Sequence, residues 1–202
     1  MNTKHILNQI SNITNIPEDK LFWVGVYGSH CYKTNHKLSD IDINCLTFEE
    51  NIDKEFHIDN ISIRLIDIDL FIDKLWNLED MVILESYLSN IKLKEDIKID
   101  FELDKAKLRR LISATSSNSW VKAKKKINQD DYYLGIKSTF SSLRIIMFGI
   151  QLATYNEIVD WECCNEIWLE LNKKELTFEE IKLQYTQLRN QLLTEFRLLC
   201  PK

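Results

Sequence analysis

Along the first third of the chain apolar residues come in short continuous blocks; along the last half they recur at three- and four-residue intervals. Short blocks bounded by turn formers read as buried strands, and the longer period reads as helices packed on one face. Residues 21–27 predict a strand that stops at Gly28-Ser29, and 41–46 predict a second. The β-branched, alternating stretch 61–69 predicts a third. Ahead of them Ile6, Leu7 and Ile10 predict a short helix over 2–11, broken by Asn15-Ile16-Pro17. The polar, acid-rich segment 48–60 reads as a connection.

Beyond residue 69 the period changes to helical. Leu70 to Trp76 carries apolar residues at helical spacing with Asp69 available as its N-cap. From Asp80 onward the chain reads as helical with one interruption. Met81, Ile83, Leu84, Tyr87 and Leu88 form a stripe, and Glu85 in the same helix reads as a solvated or capping charge. Further helices are predicted over 101–112, 120–127, from Tyr132 or Tyr133 to 154, over 163–171 and over 178–199. The serine-rich piece 113–119 reads as a flexible loop, a hinge or lid, and sets the expected boundary between a core domain, 1–112, and a helical domain, 120–202. Strands followed by runs of helices give an α/β chain of the α+β type, a small mixed sheet with a helical C-terminal region.

Composition narrows the classes. At 202 residues and 45% hydrophobic the chain buries a real core, and four Gly with two Pro leave little room for disordered linker. A net charge of −5 argues against wholesale coating of nucleic acid, so a polyanion must meet a local basic patch. No stretch is long and apolar enough for a membrane helix and the first residues lack a signal-peptide core, which predicts a cytoplasmic protein. Five cysteines without Cys-x-x-Cys spacing give neither a disulfide framework nor a zinc site.

The chemistry concentrates between residues 27 and 43. An apolar block ends at Gly28-Ser29, and a second begins at Ser39-Asp40-Ile41-Asp42. Side chains at i and i+2 of a strand share a face, so Asp40 and Asp42 can grip one cation together while Ile41 and Ile43 pack. A glycine lets backbone N–H groups approach phosphate oxygens, a hydroxyl adds a donor, and carboxylate oxygens suit Mg²⁺. Singly, a Gly-Ser turn or an Asp-x-Asp strand start is ordinary; in this order, each at the edge of an apolar block, they make a motif.

That motif resembles the nucleotidyltransferase signature of the DNA polymerase β superfamily. The resemblance implies that Gly28, Ser29 and Ser39 bind the nucleotide and that Asp40 and Asp42 hold two Mg²⁺ ions, for which Mn²⁺ can substitute. It also implies a third carboxylate on the strand beside the pair. Asp67 is favoured over Asp69, because Asp69 has a capping role available and Asp67 has none, although a bulge near Leu65-Ile66 would reverse the choice. The reaction implied is transfer of NMP from an NTP such as ATP to an acceptor, with release of pyrophosphate.

The order of the later features is similar to the RNA repair pathway polymerase-β-like branch, predicted nucleotidyltransferases of bacteria and phages. A Leu84-Glu85 step and Lys137 followed by Leu143-Arg144 carry that likeness, strongly over 27–43 and weakly elsewhere. Lys137 and Arg144 lie two helical turns apart, placed to reach a triphosphate together, a spacing that equally suits surface charges. Lys122, Lys124, Lys125 and Lys126 read either as a solvated face or as an RNA-contacting patch. The chain departs from the branch at Lys33, where a glycine is usual, and at Ser141, where a histidine often stands. An RNA 3′ end is the expected acceptor; a protein or small molecule, or a non-catalytic nucleotide-binding module, are the alternatives.

Overall fold

The computed structural model describes residues 2–201. Two compact units divide the chain, Met1–Glu102 and Leu103–Lys202. The division falls ten or so residues before the serine-rich piece expected to mark it.

In the first unit, α1 (Thr3–Thr14) carries Asn2 as N-cap and buries Ile6, Leu7 and Ile10, and a 3-10 turn, Glu18–Lys20, leads into β1 (Trp23–Tyr27). A four-residue helix, α2 (Ser29–Tyr32), separates β1 from β2 (Ile41–Thr47). Next come β3 (Asp53–Ile58), β4 (Ile61–Asp67), α3 (Ile68–Asn77), α4 (Met81–Tyr87) and β5 (Lys92–Glu95). The sheet order is β3-β4-β2-β1-β5, with β2 and β4 parallel and the other pairs antiparallel.

Two strands escape the hydrophobic pattern. β3 lies inside the segment 48–60 and is polar and almost wholly exposed, because it is an edge strand whose backbone pairs with β4. Charged side chains on such an edge discourage pairing with another chain. Asp59, at φ 52°, closes its two-residue link to β4. β5 pairs only with β1, on the opposite edge.

The pleat sorts the side chains. Val24, Val26, Ile43, Cys45, Ile63 and Leu65 fill one face and are wholly buried. On the other face Tyr27, Asp42, Ser62 and His57 stand in one row across four strands, followed by Gly25, Asn44, Arg64 and Glu55, and then Trp23, Leu46, Ile66 and Asp53. The β2–β4 register runs unbroken from Ile41 to Thr47, so the bulge considered near Leu65-Ile66 is absent. Consecutive burial there means that Ile66 is covered on its own face as Leu65 is on the other.

The second unit is all helix: α5 (Lys105–Ile127), α6 (Tyr132–Tyr155), α7 (Asn165–Leu171) and α8 (Phe178–Leu199). The serine-rich piece is no loop; it forms the middle of a continuous α5. Ser116 is fully buried, the Ser142 hydroxyl donates to its carbonyl at 2.8 Å, and the two hydroxyls are 3.2 Å apart. Small residues let α5 and α6 approach closely: a Cβ at Gly149 would lie 3.0 Å from Ile112 Cγ1. A capping box at Thr177 with Glu180 starts α8. Among the described residues no helix is long and apolar enough to cross a membrane.

Candidate active site at the Gly28 turn

The two halves of the sequence motif meet. Tyr27 and Asp42 are register partners at the ends of antiparallel β1 and β2, which brings the turn after Tyr27 against the Asp42 side chain. Gly28 has φ 78° and ψ −153°, a region L side chains avoid. A Cβ there would also sit 2.4 Å from Asp42 Oδ2. Glycine is therefore required twice over, by conformation and by the carboxylate it faces.

Asp40 lies two residues ahead of Asp42, exposed on the lead-in to β2, whose first amide donates to Asn60 O at 2.8 Å. Ser39 holds that lead-in: its hydroxyl accepts from His36 N at 2.9 Å and its amide donates to His36 O at 2.9 Å. Ser29 opens α2, and its carbonyl accepts from Thr34 N at 3.1 Å. Lys33 takes the left-handed conformation, φ 56°, that the glycine usual at this position would adopt freely. The turn keeps its shape and Lys33 bears the strain.

Asp67 does not join the pair. It lies level with Thr47, five residues along β2 from Asp42 and on the opposite face by register. At about 3.3 Å per residue that is roughly 16 Å. Its carboxylate instead caps α3, accepting from Asp69 N at 2.9 Å, and ties the preceding turn through Asn51 N at 2.7 Å. The capping role assigned to Asp69 therefore belongs to Asp67, and Asp69 is an exposed first-turn residue of α3. On β4 the position level with Asp42 is Ser62, followed on the same face by Arg64.

Residues the motif did not name complete this corner. Tyr27 lies beside Asp42, and burial, then Asp42 and Glu55, push its phenol well above the usual range against the opposing pull of Arg64. It therefore keeps its proton and can donate a hydrogen bond. Arg64 is held by Asp53 at 2.8 Å and reaches Asp80 at 3.6 Å; Lys74 also meets Asp53, at 2.7 Å. Arg64 and then Lys74 pull the Asp53 carboxyl from its ordinary 3.8 down to about 2.

Under the turn lies a buried polar floor. Glu85 is 3% exposed and accepts from the Tyr32 hydroxyl of α2, so it is neither solvated nor a cap. Asn44 Nδ2 donates to Ser86 Oγ at 2.8 Å, Cys31 Sγ donates to Val26 O at 3.2 Å, and Ser89 Oγ donates to the same carbonyl. These contacts join α2 to α4 and β1, fixing the turn they flank. Glu85 shares the helical phase of Met81 and Leu88, the sequence signal that it faces inward.

Among the described residues no three His, Cys, Asp or Glu side chains gather as a metal-binding group. The Asp40–Asp42 pair nonetheless fits Mg²⁺, which is commonly bound by one or two carboxylates and completes its shell with water and phosphate. The absence of a Cβ at Gly28 lets Asp42 Oδ2 lie against the backbone of the turn. None of the five cysteines forms a disulfide, and burial raises Cys163 to about 11 and Cys164 to about 12, so neither of these two is a ready nucleophile.

In the helical unit Lys137 and Arg144 both lie on α6 but differ in surroundings. Lys137 is exposed, whereas Arg144 is 6% exposed with its guanidinium 4.9 Å from the Phe148 ring centre and 6.0 Å from that of Phe140. They do not form a joint cationic face. Lys122, Lys124 and Lys125 are exposed near the C-terminal end of α5, where the helix dipole favours cations, and Lys126 pairs with Asp131 at 2.9 Å.

No family model matches the chain, and no curated protein matches it. Among solved structures it is similar to a nucleotidyltransferase-like protein from Exiguobacterium sibiricum 255-15, with TM-score 0.36 and 12% identity over 98% of this chain and 73% of that one. A likeness at that level carries no argument about this chain's chemistry.

Proposed function

We propose that the protein is a nucleotidyltransferase that moves NMP from an NTP to an acceptor hydroxyl, releasing pyrophosphate. The observation that carries this reading is the fit of Gly28 against Asp42, which puts a bare, positive-φ backbone turn beside the Asp42 carboxylate where β1 ends and β2 begins, two residues after Asp40. In this reading Asp40 and Asp42 hold Mg²⁺, two ions in the arrangement the sequence resemblance implies. Bound there, the metal would neutralise phosphate charge and polarise the reacting oxygens. Gly28 admits the β- and γ-phosphates close to the backbone, and the Ser29 hydroxyl donates to them. Tyr27, level with Asp42 at the same end of the strands, is a further hydrogen-bond donor. The acceptor we favour is an RNA 3′ hydroxyl, with a protein or small molecule as the alternative.

A second reading, a nucleotide-binding module without transfer activity, is favoured by Ser62 standing on β4 level with Asp42 and by the placement of Asp67 at the far end of the strand. One experiment separates the two. The protein is incubated with each α-³²P-labelled NTP, Mg²⁺, total RNA and cell protein, beside an Asp40→Asn/Asp42→Asn variant. Label moving to one macromolecule class, and lost in the variant, supports transfer and names the acceptor. Metal-dependent NTP binding without label movement favours the module. Neither binding nor transfer overturns both.

A further inference from the structure

α5 is unlike the rest of this acidic chain. Its sequence from Lys105 to Ile127 holds eight Lys and Arg and no Asp or Glu, in a protein of net charge −5. Such a helix repels itself unless counter-charge arrives from elsewhere.

The neighbouring helix adds cations. Arg109 Nη1 donates to Arg197 O at 3.1 Å and to Cys200 O at 2.6 Å, while Arg189 reaches the middle of α5, so α5 and α8 run antiparallel. Arg109, Arg110 and Arg197 therefore gather near one end of this helix pair. Arg189 lies eight residues from Arg197 on α8, about 12 Å along the axis.

Arg189 is half-buried and touches only neutral groups. Its Nε donates to Ser142 Oγ at 3.2 Å, and its Nη2 to Ser116 Oγ at 3.3 Å and Ser117 Oγ at 3.4 Å. Its guanidinium lies 5.4 Å from the Trp120 ring centre, and Trp120 is braced edge-on by Phe178 at 5.7 Å. Among the described residues no carboxylate pairs with it, and Arg197 is the charged neighbour it senses. A guanidinium desolvated without a counter-ion is costly to keep, and a phosphate would supply that counter-ion bidentately. Cation, hydroxyls and aromatic ring thus stand together beside further arginines, the combination that tracks a single strand by its phosphates and stacks a base.

We propose that Arg189, Ser117 and Trp120 seat one phosphodiester and an adjoining base of single-stranded RNA, with the buried Ser116 and Ser142 orienting the Arg189 guanidinium from inside and with Arg197 and Arg110 continuing the contact along the helix pair. This site belongs to the helical unit and does not rest on the nucleotidyltransferase reading.

The test is fluorescence anisotropy of a fluorescein-labelled oligouridylate of about a dozen nucleotides, titrated at several KCl concentrations, with circular dichroism melts as the folding control. Wild type is expected to bind with a linear log–log salt dependence of slope about −0.7 per phosphate contacted. Arg189→Ala is expected to weaken binding about tenfold and to flatten the slope by about 0.7. Trp120→Leu is expected to weaken it comparably with the slope unchanged. Arg197→Ala, at an exposed position, decides the matter if Arg189→Ala does not fold. Absence of wild-type binding overturns the proposal, as does undiminished binding by both arginine variants. So does a loss confined to a Lys122→Ala/Lys124→Ala/Lys125→Ala variant. The titrations contain neither NTP nor Mg²⁺, so failure of the transfer assay would leave this result standing.

Discussion

The sheet unit and the helical unit handle their polar residues in opposite ways. In the first, chemistry is set by strand register: Asp42 and Asp67 are both strand-borne aspartates, yet one faces the Gly28 turn and the other caps α3 about 16 Å away. In the second, polar groups are drawn inside, where Ser116, Ser142 and Arg189 bridge three helices. A strand offers each side chain one of two faces and a level; a helix pair offers a continuous seam. The role of an acid on a strand thus changes with a one-residue shift, whereas hydroxyls on a helix are absorbed wherever a neighbour comes close.

The sharpest way to break this comparison is to neutralise each aspartate in turn. Asp42→Asn should reduce label transfer to background with little change in stability, whereas Asp67→Asn should leave transfer intact and cost about 1 kcal/mol through the lost α3 cap. Equal loss of activity in both, measured with labelled NTP, would mean that register does not govern the site. Next, Gly28→Ala should cost about 10²-fold in transfer rate, since its Cβ would displace the Asp42 carboxylate.

Glu85→Ala should cost about 1–3 kcal/mol in urea unfolding by stranding the Tyr32 hydroxyl in the interior. Ser116→Ala in the helical unit should cost no more than about 1 kcal/mol, because Ser142 keeps its bond to the residue 116 carbonyl and Arg189 keeps its bond to Ser142. A larger loss at Ser116 than at Glu85 would reverse the comparison.

Asp53 supplies a pH signature confined to the sheet. Its folded value of about 2 lies below the ordinary 3.8, so its contribution is fully present above pH 4 and is lost as pH falls through 2. Thermal melts of Asp53→Asn between pH 4 and pH 2 should therefore lose less stability than those of wild type. The smallest effect is expected at Lys33→Gly, which should stabilise the fold by about 0.5–1 kcal/mol by relieving a left-handed residue.

Periodicity made the main elements legible. The strands ending at Tyr27 and starting at Ile41, the long helix over Tyr132–Tyr155 and the last helix, Phe178–Leu199, stand close to their predicted bounds. The strands β3 and β5 were not legible, because edge strands are held by backbone pairing and need no apolar pattern. The serine-rich piece misread as a loop shows the reverse case. Serine is a weak helix former, but burial of Ser116 against Ser142 overrides propensity.

The sequence by itself determined the α+β class, the Gly28-Ser29 turn and the Asp40–Asp42 pair, since each depends on residue type and short-range spacing. Tertiary structure alone decided the roles of Asp67, Glu85 and Arg189. A carboxylate or guanidinium is identical in sequence whether it caps a helix, anchors a hydroxyl or holds an open charge. What separates these fates is the neighbour brought to it from tens of residues away, and that is set by register and packing.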